Sequence, residues 1–498
     1  MKKFKINSIL FTLFLSFGML CQAQPVTKTS YFVENATLRH LLNPALAPSR
    51  GYFSIPALSE LYLSSESNLK FTNFIFPANS ASNGELRTFM HPTVNADDFL
   101  DALKEDQFLR LDLRNSLFSF GYWAGASSFI SFELASRTNI STNLPKDFFA
   151  FFKKGMSDAA GNTYHLDHLS FGVSEIAEAS LGYSLDVSKR LRFGLKGKFL
   201  AGGAKLKAEL EEMQISMGPD SWSVSSKGRI DAYGKGLSFV KDTSQNITNV
   251  ELEGNSLGLG GMGLALDLGF EYSILPGLKL SMALIDIGGI KWDQANIKSA
   301  TSSGSVTFSG LNDFNPDSVG RERMDAQLEE MKDNMLEMTK FKEVPTTEDF
   351  LEKFKPTFHM GLEYSMKKIS IGGLLTSRVI GDKRYNDYTA SLNLKPLKMF
   401  NLTGSYSFLY GERENFGFAL GFAPGLFNLY LSCDYVPTKF NPQYIPLNTA
   451  TTNFQVGLSI PLNKRKKKVI DPIEEDEHED FFDGENTEEE EEFIIVGD

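Results

Sequence analysis

The 498-residue chain holds six histidines, and only His165 and His168 sit near each other. In "YHLDHLS" they flank Asp167. Two imidazoles and a carboxylate at that spacing could ligate a metal or form a His–Asp proton relay. The same residues are ordinary in a polar surface loop, and that reading is preferred. Catalysis would need a nucleophile or paired acids beside a base. No G-x-S-x-G, H-E-x-x-H or glycine-rich phosphate loop occurs. The expectation is a protein that is not an enzyme and has no metal or cofactor site.

A second set of ionisable residues is more telling. Glu133, Asp186, Lys196, Lys198, Asp267, Glu271, His359, Glu363 and Asp387 all stand on the small or polar side of alternating segments. The other side of each segment is bulky and apolar. Mixed signs on one inward face suggest an ion-pair network that fills an interior, with a selective polar path as the alternative. His359 beside Glu363 reads as lining of that interior.

The elements that must position these groups are strands. In "NFGFALGFAPGLFNLYLSCDYV", Phe416, Phe418, Leu420 and Phe422 alternate with Gly417, Ala419 and Gly421. After Pro424-Gly425 the alternation restarts at Phe427. "ALDLGFEYSIL", "FHMGLEYSM", "YTASLNLK" and "FQVGLSIPL" repeat the pattern. Period-two alternation is the strand signal, and about ten residues is what a tilted strand needs to cross a bilayer. Strands are expected near 51–64, 111–123, 128–138, 177–187, 191–205, 258–274, 278–289, 356–366, 369–380, 386–394, 400–410, 416–423, 426–436 and 451–462. Tight turns alternate with long polar excursions between them. That sorting is characteristic of an outer-membrane barrel, and a soluble sandwich has no need of it. The expected fold is therefore all-β: a transmembrane antiparallel β-barrel of about 14 strands over residues 51–463, its apolar face covered by outer-membrane lipid. A closed barrel also satisfies every backbone polar group, as hydrocarbon requires.

The excursions carry helical patterns at 95–106, at 144–155 and in "RERMDAQLEEMKDNMLEMTKF". In the last, Met324, Leu328, Met331, Met335 and Met338 form an apolar stripe, read as packing on the barrel rim. A hairpin within 206–257 could escape detection.

The ends of the chain agree with export. "MKKFK", an apolar run and "CQA" read as a signal peptide over residues 1–23. Its removal leaves Cys433 alone, so no intramolecular disulfide can form. Residues 24–50 are partly helical and broken by Pro44 and Pro48. They read either as a luminal plug or as a periplasmic cap or leader. Residues 464–498 form a basic anchor and an acidic tail, with 15 Asp or Glu and no Lys or Arg in 471–498. Such a run cannot build a core and is expected to be disordered in the periplasm. The formal charge of −12 comes from this tail, and the rest of the exported chain is near neutral. A nucleic-acid partner is excluded on that ground and by the export signal. A periplasmic protein at the tail is a candidate partner.

"TLRHLLNPALAPSRGYFSIP", with Asn43-Pro44-Ala45 just before the first strand, resembles a family of outer-membrane barrels of unknown function. That family is in turn similar to the FadL-like long-chain fatty acid transporters. The resemblance implies a 14-stranded barrel, an N-terminal segment in the lumen, and uptake of hydrophobic small molecules, with lateral exit through the wall. In such barrels the last strand ends on an aromatic residue, whereas here it ends Pro461-Leu462 before a long tail. Two functions from different classes follow. One is passive transport or binding of a hydrophobic or amphipathic small molecule in the outer membrane of a diderm bacterium. The other is a scaffold that holds partner proteins through its long loops or acidic tail.

Overall fold

The alternating segments close into one ring. The structure, a computed structural model, describes residues 26–33, 37, 39–54, 59–76, 86–155, 161–218, 221–252, 258–308, 338, 340–380, 383–409, 412–436, 440 and 451–465. Fourteen antiparallel strands form the barrel. In chain order β1 comprises Arg50–Ser54 and Glu60–Ser67, β2 is Asp106–Ala124, β3 Ser128–Pro145 and β4 Leu169–Asp186. There follow β5 Leu191–Met217, β6 Gly261–Leu275, β7 Leu278–Trp292, β8 Thr357–Met366 and β9 Ile369–Ile380. The last five are β10 Lys383–Leu397, β11 Phe400–Leu409, β12 Glu412–Phe422, β13 Asn428–Val436 and β14 Thr452–Lys464. Each strand pairs with its sequence neighbour, and β1 pairs with both β2 and β14. No free edge remains in the ring, so its backbone groups are paired between strands, as hydrocarbon demands.

The outer face is apolar. Leu61, Leu181, Phe199, Leu362, Ile371 and Phe416 are all exposed, each on a strand whose alternate residues are buried. A water-soluble sheet would cover such a face with a second layer, and here lipid covers it. No helix among the described residues is long and apolar enough to cross a membrane. The protein is an outer-membrane β-barrel.

The two ends differ. Tight turns such as Pro276-Gly277, where Gly277 has φ 80°, mark the periplasmic end. At the other end the strands overshoot. The 27 residues of β5 would extend about 90 Å at ~3.3 Å per residue, far more than the ~10 residues of a crossing. Its outer half pairs with Trp222–Gly234, which pairs in turn with Ile297–Phe308. Sequence reading placed both segments in loops, because their Gly, Ser and Lys content hides the alternation. A hairpin of Leu237–Lys241 and Ile247–Leu252 also lies here.

Two of the expected loop helices are present: α2 (Ala96–Asp101), capped by Asn95, and α3 (Lys146–Lys154). Helix α1 (Arg39–Leu42) precedes the barrel. Phe99 of α2 and Phe149 of α3 pack with Tyr164, Ile215, Val224 and Val306 into an apolar cluster over the outer mouth. Of the expected methionine stripe only Met338 is described, buried in this same cluster; Met324–Met335 lie outside the described residues, as do the segments expected to be a signal peptide and an acidic tail.

Candidate functional site in the barrel lumen

The described residues of the segment 26–48 lie inside the ring. Val26, Tyr31, Phe32, Val33, Leu42 and Leu46 are buried with Leu374, Ala419 and Tyr430 of the wall, so the lumen has its own apolar core. The segment's main chain is held by wall side chains. Asp434 of β13 accepts from the backbone N–H of Lys28 and of Thr29, each at 2.8 Å, and from Thr29 Oγ1 at 2.7 Å. Thr27 donates through its backbone N–H to Gln455 Oε1 of β14 at 3.0 Å. Lys28 Nζ reaches Asp387 of β10 at 2.5 Å and the Tyr435 hydroxyl at 2.8 Å. Arg378 also approaches Asp387, at 3.3 Å, and pairs with Glu66 at 2.8 Å.

The Asn-Pro-Ala triplet occupies a notch. Asn43 Oδ1 accepts the Ala45 N–H at 2.9 Å, an Asx turn that bends the chain at Pro44. Asn43 Nδ2 donates to the wall carbonyls of Phe270 and Met282 at 3.3 and 3.2 Å. Opposite the triplet, Gly194 of β5 and Gly269 of β6 are cross-strand partners. A Cβ on Gly269 would stand 2.1 Å from Asn43 Oδ1, and one on Gly194 would stand 2.2 Å from the Pro44 carbonyl carbon. The wall is bare at this pair because the luminal backbone touches it.

The remaining lumen surface is a charge network on β1–β7. Arg114 donates to Glu60 at 2.8 Å and forms an ion pair with Glu133 at 2.8 Å, and Lys196 lies 3.7 Å from Glu133. Lys198 pairs with Asp267 at 2.7 Å and Asp286 at 2.6 Å. Arg137 joins Asp286 at 3.0 Å and contacts Glu178. Nearer the periplasm, Glu271 pairs with Lys279 at 2.9 Å, and Glu363 receives Ser370 Oγ at 2.8 Å with Arg39 at 3.8 Å. Asp186 accepts from Arg192 Nε at 2.6 Å.

The sequence-expected charges thus all face inward but divide into separate groups. Lys196, Lys198 and Asp267 share the network, Asp387 holds the luminal segment, and Asp186, Glu271 and Glu363 lie toward the turns. His359 contacts Thr376 Oγ1 at 3.0 Å and stands against the Tyr31 ring, while Glu363 has other partners, so the two do not act together. His40 of α1 is buried and held well below its usual pKa, at about 3, chiefly by desolvation and then by the nearby Lys196 charge. Its Nδ1 is 2.7 Å from the Thr37 carbonyl, so it carries the proton there. His165 and His168 sit exposed in the outer region, and Asp167 is engaged by the Met213 N–H at 2.7 Å. Among the described residues no group of three metal-ligating side chains gathers.

Sequence reading missed Asp286. Strict alternation along β7 would send it outward with Leu280, Met282 and Leu284. A bulge intervenes: Leu266 pairs with Ile287 while Leu268 pairs with Leu284, leaving Asp267 facing two residues. Asp286 takes φ 61° and turns inward, and its N–H donates to Asp267 at 2.8 Å. On the lipid side near this bulge lies an apolar groove of about 570 Å³. Ala179 and Gly197 are its small residues, with Leu181, Phe199, Leu264 and Ile287 around them.

Several solved structures are similar in layout. A Pseudomonas aeruginosa FadL homologue shares 9% identity, with 90% of this chain and 100% of that chain covered at a TM-score of 0.42. The Ralstonia pickettii toluene transporter TbuX shares 11%, with 91% and 98% covered at 0.40. The Pseudomonas putida toluene transporter TodX shares 9%, with 88% and 94% covered at 0.36. A search of the curated proteins finds no match. A family of unknown function (DUF5723) matches residues 44–434, and the chain belongs to that family.

Proposed function

We propose that this barrel is a passive conduit for a hydrophobic or amphipathic small molecule. In this reading residues 1–23 are removed on export, residues 24–50 plug the lumen, and residues 464–498 lie in the periplasm. A ligand is taken up at the apolar cluster over the outer mouth. The axial route is filled by the luminal segment, so the ligand leaves sideways. The observation that carries the reading is the β6–β7 bulge beside the lipid-facing groove. There the strand ladder is interrupted, and an apolar surface outside adjoins a polar interior. Arg137 and Lys198 hold Asp286, and with it the bulge, in the closed position.

The test is uptake of the fluorescent probe N-phenyl-1-naphthylamine by cells that produce the protein. Uptake should exceed that of cells lacking it. It should fall when Gly197→Trp fills the groove and persist when residues 471–498 are removed. Equal uptake with and without the protein would refute transport.

The acidic tail favours a second reading, a scaffold for periplasmic proteins. Pull-down with and without residues 471–498 separates the two: loss of every stable partner on truncation, with probe uptake absent throughout, would support the scaffold.

A further inference from the structure

We propose that the periplasmic rim is a collar that binds the phosphates of anionic glycerophospholipids in the inner leaflet of the outer membrane. Six tight turns close this end of the barrel, and none contains an Asp or Glu. Three of them are cationic: Lys189-Arg190 between β4 and β5, Lys367-Lys368 between β8 and β9, and Lys398 between β10 and β11, with Lys395 just before it. The carboxylates nearest this end, Asp186, Glu271 and Glu363, are inward residues whose partners include Arg192, Lys279 and Ser370. The outer end is different. There exposed lysines stand beside carboxylates, as in Lys227–Glu211 at 2.9 Å and Lys291–Asp349 at 2.6 Å. One end mixes its charges, and the turns of the other carry a single sign.

The setting of the cations identifies their partner as lipid. Met366 and Ile369 bracket Lys367-Lys368, Leu397 and Met399 bracket Lys398, and Val187 precedes Lys189-Arg190. All five apolar side chains are exposed. A lysine stem between such neighbours lies along hydrocarbon while its ammonium reaches the headgroups. Exposed Tyr122, Tyr183, Tyr272 and Tyr364 each precede a periplasmic turn by a few residues and mark the same level, as the aromatic girdle of a barrel does.

The spacing of the cations agrees. With Lys464 at the end of β14, no gap between cationic positions around the ring exceeds four strands. A docked protein covers one side of a rim, whereas a lipid annulus meets every side. Ammonium and guanidinium groups donate to phosphate oxygens, and each cation at an anionic lipid surface adds to the attraction. The rim therefore selects phosphatidylglycerol over zwitterionic phosphatidylethanolamine and fixes the depth at which the barrel sits. The inference rests on the periplasmic position of the tight turns and is independent of what the barrel carries.

The experiment reconstitutes the full chain in vesicles of phosphatidylethanolamine and phosphatidylglycerol. The protein is extracted in mild detergent, and the lipids that stay bound are measured by mass spectrometry. Heat-shift of the folded band on a gel confirms an intact barrel. Bound lipid should be enriched in phosphatidylglycerol about fivefold over the vesicle. Lys367→Gln with Lys368→Gln should lower that enrichment, and adding Lys395→Gln and Lys398→Gln should lower it further. Lys227→Gln with Lys291→Gln, at the outer end, should leave it unchanged. Excess inorganic phosphate should not displace the bound lipid. Four outcomes overturn the proposal. One is bound lipid at the vesicle ratio in the unsubstituted chain, the result expected of a rim that docks an acidic protein. The others are an enrichment that survives all four rim substitutions, an equal loss from the outer-end pair, and displacement by inorganic phosphate.

Discussion

The two halves of the lumen wall solve one problem in opposite ways. Each of the fourteen strands sends polar side chains inward, away from water. On β8–β14 the inward residues are mostly neutral and short: Thr376, Thr389, Asn393, Thr403, Ser405 and Ser432 are all buried. Their few charges, Glu363, Arg378, Asp387 and Asp434 among them, include the two that grip residues 28–29. On β1–β7 the inward groups are charged and pair with one another across strands. The difference teaches which side depends on the guest. Without residues 26–33, Asp434 would lose three donated hydrogen bonds, whereas the Arg114, Lys198 and Arg137 pairs would stay intact. Charged side chains of β10 and β13 hold residues 28–29, whereas β5–β7 meet the segment at Asn43 and Pro44 through backbone carbonyls and bare glycines.

The comparison can be broken most severely at Asp434. Asp434→Ala leaves two buried backbone N–H groups without acceptors and should cost about 3–5 kcal/mol. It is checked by the urea midpoint of the folded band and by protease cutting within residues 26–48. Next comes Asp286→Ala, which strips Arg137 and Lys198 of a shared partner and should cost about 2–4 kcal/mol. If the bulge gates the wall, the same variant accelerates probe uptake while residues 26–48 stay protected from protease, which Asp434→Ala does not allow.

Smaller effects sharpen the picture. Gly269→Ala pushes a methyl into Asn43 and should cost about 1–3 kcal/mol, read as a lower urea midpoint of the folded band. Last is pH. His40 is neutral in the folded chain and its pKa is depressed, so the folded state binds fewer protons than the unfolded state. Its contribution is complete above the unfolded pKa of about 6.5 and is lost as pH falls toward 3, by about 1.4 kcal/mol per unit. The urea midpoint of the folded band should fall from pH 7 to pH 5, and His40→Gln should flatten that profile.

Much of the barrel was legible because its two solvents differ so sharply. Lipid outside and a polar interior force period-two alternation, so all fourteen strands could be read from parity. Parity also marks its own failures. Asp286 was missed because one bulged residue reverses the alternation in β7. Trp123, whose Nε1–H donates to the Pro48 carbonyl, was hidden the same way, since β2 slips a register at Leu117 between Ser116 and Phe118. Gly194 and Gly269 carry no signal of their own, for the need of bare backbone arises only from a segment distant in sequence. Residues 24–50 could be read equally as plug or leader, because a short helical stretch does not say what will surround it.

One consequence follows from the pairing of β1 with β14. The chain's opening residues are enclosed by a hoop that only its last strand can fasten. The first and last strands thus share one seam, and the described residues of 26–48 sit inside the hoop that this seam fastens.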